Sequence, residues 1–268
     1  MATSAMGSSS ASDDTATICA ISIVAFMIGD CLHEGVGHAL LALLTGAQTG
    51  VISTVAWSSA FDSRLVAAGG TLVNLAAGFL FWLSLRGSRN SSPSTRVFLL
   101  LSAAFNLFTG TGYFFFSGVT NFGDWETVIA PMHPHWLWRI LLVIVGAAAY
   151  YGAVLLIGTA IVRYLGIPVT DRNRFREITF LPYFSAIVIS VAGAIPNPIG
   201  IQLLWESALS ATAGANCGLL WLRYYIPSKT VPQSSLQLIT RSYAWILTAT
   251  ICAIIFVAVL GRGVTLHH

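Results

Sequence analysis

The amino-acid sequence predicts an all-α, polytopic membrane protein. Hydrophobic residues make up 56% of the 268 positions and charged residues only 9%, whereas a soluble domain has roughly 25% charged residues. The apolar residues are gathered into runs. Several of these runs have the length of about 20 residues that a bilayer-spanning helix needs. The net charge of +3 is small and gives no reason to expect a nucleic-acid partner. Lipid is therefore the predicted surrounding of most of the chain.

The apolar runs predict about six to seven transmembrane helices. The seven candidates are Thr17–Thr45, Arg64–Leu85, Arg96–Val119, Trp136–Tyr164, Phe180–Ile195, Gly200–Tyr224 and Ser242–Leu260. The fifth is short and ends at Pro196–Pro198, a Pro-Asn-Pro sequence that forbids a continuous helix, so it is predicted to be a broken or re-entrant segment. The charged stretch Val169–Glu177 before it is predicted to be a connection.

The first predicted helix contains the most informative stretch of the chain. It reads IGDCLHEGVGHALLALL over Ile28–Leu44 and includes His33, Glu34 and His38. Ionisable side chains are costly inside a membrane and are functional candidates for that reason. Neutral imidazole is the commonest metal ligand, and a neighbouring glutamate can act as a general base on water. The trio predicts a metal site; the alternative is a set of buried polar residues hydrogen-bonded to neighbouring helices.

The spacing of the two histidines predicts a local change in the helix. The pattern H-E-x-x-x-H is one residue longer than the H-E-x-x-H of zinc proteases. In a regular α-helix the second histidine would lie roughly 140° around the axis from the first. A π-bulge would absorb the extra residue and bring both imidazoles to one face. Gly35 and Gly37 would ease this distortion.

A third metal ligand has to come from another part of the chain, because catalytic zinc usually takes three protein ligands and leaves the fourth position for water. Asp124, which follows the third predicted helix after Gly123, is the first candidate, with a solvated loop aspartate as the alternative. The other candidates are Asp30, Glu126, His133, His135 and Glu206. Asp30 lies one turn before His33 and could instead orient that histidine.

The second and sixth candidate spans contain further polar or small residues. Gly69 and Gly70 would allow two helices to approach closely. Asn74 either makes an interhelical hydrogen bond or lies near the substrate or the oxyanion. Glu206 either lines a water route to the metal or pairs with an arginine at a helix end.

The order of these elements resembles that of the site-2 protease family of intramembrane zinc metalloproteases. HEGVGHAL, His33–Leu40, resembles the HExxH helix of that family with one residue inserted. GGTLVN, Gly69–Asn74, resembles its Gly-Pro-x-x-Asn element with Thr71 at the usual position of proline. Gly123–Trp125 resembles its Asp-Gly motif, with the glycine before the aspartate. The resemblance covers about residues 28–126.

The resemblance implies that His33, His38 and Asp124 hold zinc, that Glu34 activates water and that Asn74 helps to position substrate. It implies an intramembrane endopeptidase that cleaves transmembrane-helix substrates by Glu-assisted attack of zinc-bound water. Two other functions stay open: a non-proteolytic metal-binding membrane regulator of the same fold, and an ion- or proton-coupled transporter.

Three regions are expected from these considerations. Residues 1–16, rich in Ser, Ala and Thr, are predicted to be a disordered tail. Residues 17–130 are predicted to form a three-helix metal-binding core, and residues 131–268 an accessory transmembrane bundle. The expected partners are the lipid bilayer and a transmembrane protein substrate, and the sequence predicts no oligomeric state.

Overall fold

A computed structural model of the chain describes residues 12–61, 63–198, 212–226 and 237–267, together with Thr230 and Pro232. Its α-helices are α1 Thr15–Cys31, α2 Leu41–Thr45, α3 Arg64–Gly87, α4 Pro93–Thr120, α5 Asp124–Ile129, α6 His135–Ala160, α7 Arg172–Ala194, α8 Gly218–Tyr225 and α9 Tyr243–Ala258. Two π-helical segments, Leu32–Leu40 and Ile161–Leu165, continue α1 and α6, and a 3-10 turn, Leu260–Arg262, follows α9. The strands are β1 Thr49–Ile52, β2 Trp57–Ser59 and β3 Val264–His267.

The predicted fold class is confirmed. Within the described residues, 6 helical runs are long and apolar enough to cross a membrane. These runs are Thr15–Thr45, Arg64–Gly87, Pro93–Thr120, His135–Leu165, Arg172–Ala194 and Tyr243–Arg262. Residues 200–211 of the candidate span Gly200–Tyr224 lie outside the described residues. The remaining residues of this span include most of α8.

Side-chain caps explain where several of the long helices begin. A helix leaves its first backbone N–H groups without intrahelical acceptors, and a preceding Ser or Asp side chain can accept from one of them. Caps of this kind precede α1, α3, α4, α7 and α9 and are Asp14, Ser63, Ser92, Asp171 and Ser242.

The prediction of a short, broken fifth span was wrong. α7 is a continuous helix of 23 residues that begins at Arg172, eight positions before the predicted start, and ends just before the Pro-Asn-Pro sequence. The charged residues taken for a connection occupy the first turns of this helix, because Asp171 caps it and Arg174 has a buried ionic partner. Charge at the end of a membrane helix therefore did not mark a loop here.

The predicted N-terminal tail was too long. Asp13 is only 5% exposed and forms an ion pair with Arg174 of α7, with 2.5 Å between Oδ2 and Nε. The other carboxylate oxygen of Asp13 accepts a hydrogen bond from the backbone N–H of Ile239 at 2.7 Å. α1 starts two residues later, so the chain just before α1 is fixed to α7 and to the segment that leads into α9. Residues 1–11 lie outside the described part of the chain.

The core is built around α4, against which α1, α3 and α6 pack. α3 and α4 approach closely because each presents a glycine to a leucine of the other. A Cβ atom on Gly78 would lie 2.6 Å from Cγ of Leu107, and one on Gly110 would lie 2.9 Å from Cγ of Leu75. Small residues allow this close packing where lipid provides no hydrophobic drive for helix association. The contact aligns the polar residues in the middle of the two helices.

A small antiparallel sheet, which the sequence did not predict, lies against the π-helical segment Leu32–Leu40. Its strand order is β2-β1-β3, with Ile52 of β1 opposite both Trp57 of β2 and Val264 of β3. β3 belongs to the predicted accessory bundle and β1 to the predicted core. The two predicted regions are therefore joined by one sheet.

Candidate metal centre

The π-helical segment Leu32–Leu40 brings the two motif histidines together. A π-helix pairs residues i and i+5, so side chains five positions apart lie on the same face. The Nε2 atoms of His33 and His38 are 3.2 Å apart, and both side chains are buried. The predicted π-bulge is confirmed, and it extends over nine residues.

Asp124 at the start of α5 completes a triangle of donor atoms. Its Oδ2 lies 3.3 Å from Nε2 of His33 and 3.4 Å from Nε2 of His38. Donors bound to zinc at about 2.0–2.1 Å in a tetrahedron are about 3.3–3.4 Å from one another, so the triangle has the size of one tetrahedral face. The three residues could therefore hold a metal ion and leave a fourth position open.

The hydrogen bond behind His38 determines which of its nitrogens carries the proton. Nδ1 of His38 lies 2.8 Å from the backbone carbonyl oxygen of Val66. A carbonyl oxygen only accepts, so Nδ1 must donate. In the neutral ring the lone pair is then on Nε2, which points to His33 and Asp124.

A chain of two asparagines has the same effect on His33. Nδ2 of Asn74 donates to the carbonyl oxygen of Gly29 at 3.1 Å and to Oδ1 of Asn106 at 2.7 Å. The orientation of the Asn74 amide is thereby fixed, and its Oδ1 faces Nδ1 of His33 at 2.5 Å. Nδ1 of His33 therefore donates, and its Nε2 also presents a lone pair. Asn106 is held in turn by a bond from Nδ2 to the carbonyl oxygen of Ser102 at 2.8 Å.

Three electron-rich atoms thus converge on one point. Neither Nε2 has a proton to donate when the rings are neutral, and Oδ2 of Asp124 is buried without a hydrogen bond to any described residue. A metal ion, or an added proton, would satisfy all three atoms. Two imidazoles and one carboxylate form a donor set that metals such as zinc accept.

Gly37, Gly69 and Gly70 allow α3 to lie directly against the π-helical segment Leu32–Leu40. A Cβ on Gly37 would lie 2.6 Å from the backbone nitrogen of Gly70 and 2.8 Å from the carbonyl carbon of Gly69. A Cβ on Gly70 would lie 2.7 Å from Nε2 of His33 and even closer to Nε2 of His38. Backbone contact at these glycines holds the two histidines beside α3, where Val66 and Asn74 act on them.

Glu34 is adjacent to the group of three but does not belong to it. Its side chain is buried. One carboxylate oxygen, Oε2, is buried and has no hydrogen-bonding partner in the described ranges. This oxygen is available to accept a proton or a hydrogen bond from a bound molecule.

The remaining predicted site residues have different positions. Asp30 lines a small cavity beside His33 but does not orient it, because Asn74 occupies Nδ1 of that histidine. Asn74 makes the interhelical hydrogen bonds that were one of its two predicted roles, and its amide has no free donor for an oxyanion. Glu126, His133 and His135 are not part of the group of three, and Glu206 lies outside the described residues.

Two residues of the site were missed by the sequence analysis. Asn106 is a polar residue within an apolar span, as Asn74 is, and the same argument applied to α4 would have identified it. Tyr113 packs its ring on that of His33, with 4.9 Å between the centroids. No sequence pattern singles out this tyrosine among the aromatic residues of α4.

A larger cavity of about 640 Å³ has Tyr113 in its wall. It is bordered by α4, α6 and residues 214–225, and its walls are mainly aromatic and small residues such as Tyr150 and Trp221. Its size is that of pockets that bind organic ligands. Tyr113 therefore belongs both to the wall of this apolar cavity and to the surroundings of His33.

Comparison of the chain with models of protein families, with curated proteins and with solved structures found no match. The fold and the site by themselves define a multi-span α-helical membrane protein with a His-His-Asp group, both of whose histidines are buried, that could hold a metal ion.

Replacement of Asn106 by leucine is expected to weaken metal binding by up to about 10-fold, the lower end of the effect of losing a direct partner of a ligand, because Asn106 acts on His33 through Asn74. Without Oδ1 of Asn106, one of the two acceptors that fix the Asn74 amide is lost, and His33 loses part of its orientation. The measurement is a metal titration in competition with a chelator. Ser102→Ala is the control, because it keeps the backbone carbonyl that holds Asn106. Equal affinity in Asn106→Leu and wild type would show that Asn74 does not need this support.

Proposed function

We propose that the protein is an intramembrane zinc metalloprotease that cleaves transmembrane-helix substrates. The observation that carries the proposal is the triangle of Nε2 of His33, Nε2 of His38 and Oδ2 of Asp124, with Glu34 next to it in the chain. The edges of the triangle suit tetrahedral zinc, and two imidazoles with one carboxylate are a common catalytic zinc set. Zinc, when bound, supplies a Lewis acid that makes water more acidic and polarises a carbonyl group.

Glu34 is the residue proposed to move the proton. Its Oε2 has no partner in the part of the chain described, so it can accept the proton of the attacking water. The water oxygen bonds to the scissile carbonyl carbon, the C–N bond breaks, and Glu34 returns the proton to the leaving amine. His33 and His38 serve as ligands, and Asn74 and Val66 keep their protons on Nδ1.

The surroundings of the site support an apolar substrate. The histidines lie in one of the helical runs that are long enough to cross a membrane. The 640 Å³ cavity with Tyr113 in its wall is lined by aromatic side chains that suit the apolar residues of a substrate segment. Because peptide groups within a helix are already hydrogen-bonded, the substrate would have to unwind at the scissile bond.

Glu34→Gln tests this function most directly. The variant is expected to retain about one zinc per chain, since Glu34 is not in the group of three, and to lose cleavage about 10²- to 10⁴-fold, the contribution of a general base. Zinc content and cleavage of a membrane-embedded reporter substrate in proteoliposomes would be measured on the same preparation. Cleavage at the wild-type rate in Glu34→Gln would contradict the proposed role of Glu34 as the general base.

Measurements of zinc content, cleavage and ion flux on the wild-type protein distinguish the two alternative functions from the proposed one. A metal-binding regulator would contain zinc and cleave no membrane substrate. A transporter would contain no stoichiometric metal and would show pH-dependent flux of ions or protons in proteoliposomes. The triangle formed by Nε2 of His33, Nε2 of His38 and Oδ2 of Asp124 has the size of one face of a zinc tetrahedron, which favours metal over a transport role for these residues.

A further inference from the structure

A small polar chamber of about 40 Å³ lies beside the metal centre. Its polar wall combines two carboxylates and several hydroxyl groups from five parts of the chain: Asp30 and Glu34 of the first helical run, Thr54 between β1 and β2, Thr109 of α4, Ser190 of α7 and Thr212 before α8. The ring of His33 also borders it. The chamber therefore adjoins both a metal-site histidine and the glutamate of the motif.

Two atoms of the chamber wall are buried and lack hydrogen bonds. They are Oε2 of Glu34 and Oγ1 of Thr54, and neither has a partner anywhere in the described ranges. Both side chains are more than nine-tenths buried, with 7% and 4% of their surfaces exposed. Buried polar groups of this kind are normally paired with protein or with ordered water, because an unpaired group keeps its full desolvation penalty.

The size and chemistry of the chamber match those of a water site. A buried water needs at least roughly 10–15 Å³ of free volume and two to four polar partners. The chamber has about 40 Å³ and offers two carboxylates and three threonine hydroxyls. The Thr54 hydroxyl can donate to water and accept from it, whereas the Thr212 hydroxyl donates to Ser190 and can only accept from water. One to about three water molecules would fit and would satisfy Glu34 and Thr54 together.

We propose that this chamber binds water and supplies it to Glu34. The first part depends only on the unpaired atoms and the volume, and the second part rests on the proposed protease function. Hydrolysis consumes one water for each bond cleaved, and the hydrocarbon region of a bilayer contains almost none. An internal water site next to the general base meets this requirement.

Thr54→Val tests whether the chamber is wet, because valine has the shape of threonine without the hydroxyl. If water is bound to Oγ1, the variant loses a hydrogen bond, and its melting temperature in detergent is expected to fall by about 2–4 °C. Thr71→Val is the matched control: Oγ1 of Thr71 is also buried and unpaired among the residues described, but Thr71 does not line the chamber. The control is expected to keep or raise the melting temperature, because it removes an unsatisfied group.

A dry chamber would give the opposite result. Thr54→Val would then melt at the wild-type temperature or above it, as Thr71→Val does, and the proposal would be overturned. Cleavage is measured in parallel: slower turnover in Thr54→Val with unchanged zinc content would support the supply of water to Glu34, and unchanged turnover would refute it. The melting comparison needs neither metal nor substrate, so its result stands even if the protein proves not to be a protease.

Discussion

Asp124→Ala is expected to purify as a folded protein without its stoichiometric zinc. Oδ2 of Asp124 is the only described atom outside the π-helical segment in the group of three, and it is 3.3 Å and 3.4 Å from the two histidine nitrogens. Loss of a direct ligand should weaken binding more than the roughly 10- to 100-fold caused by loss of an outer partner. Mass-spectrometric metal analysis would show about one zinc per chain in wild type, and much less in Asp124→Ala and His33→Ala.

Glu126→Ala is the matched control for Asp124→Ala, because Glu126 is in the same short helix and outside the group of three. It should retain zinc. Full zinc occupancy in Asp124→Ala would show that another residue is the third ligand. Absence of zinc from freshly purified wild type would remove the basis of the protease proposal and direct attention to the flux assay.

Gly70→Ala is expected to abolish zinc binding while leaving all three ligands in place. The added methyl carbon would lie 2.7 Å from Nε2 of His33 and closer still to Nε2 of His38. Because the methyl group would be too close to both nitrogens, at least one imidazole would have to move away from the triangle that it forms with Asp124. The variant therefore tests whether zinc binding depends on the space around the histidines, because the three donor side chains are unchanged.

Gly152→Ala provides the comparison, because a Cβ on Gly152 of α6 meets no atom within 4 Å. Both variants replace a helical glycine with a better helix former, so general effects on helix stability are shared. Zinc content and melting temperature would be measured for both. Normal zinc binding by Gly70→Ala would mean that α3 can move away from the histidines, and that the close contact at Gly70 is not required for zinc binding.

The group that could hold a metal ion was predicted to a large extent, because two histidines and a glutamate are unusual in a predicted membrane span. His33, His38 and Asp124 were candidates from residue type and order alone, and the spacing of the histidines predicted the π-helical distortion. Asn106 was not predicted, because its importance comes from its place opposite Asn74, and that depends on how α3 packs against α4. Packing between helices cannot be read from either helix separately.

The errors in the fold have a common physical origin. The start of α7 and the end of the N-terminal tail were misjudged because Arg174 and Asp13 form a buried ion pair with each other. Each residue alone indicates a solvated segment, and only their contact makes burial favourable. The sheet was missed because β1 and β3 are four residues each and lie more than 200 positions apart in the chain.

The π-helical segment also changes how motifs of this kind should be sought. Sequence patterns for metal-binding helices assume a fixed count of residues between ligands, and a chain with one additional residue fails such a pattern. In this protein the additional residue is absorbed by the backbone, and His33 and His38 still meet at 3.2 Å. A metal requires a distance between donor atoms and not a residue count, and in this chain a spacing one residue longer than H-E-x-x-H provides that distance. Searches that allow for a widened turn would group such chains by geometry.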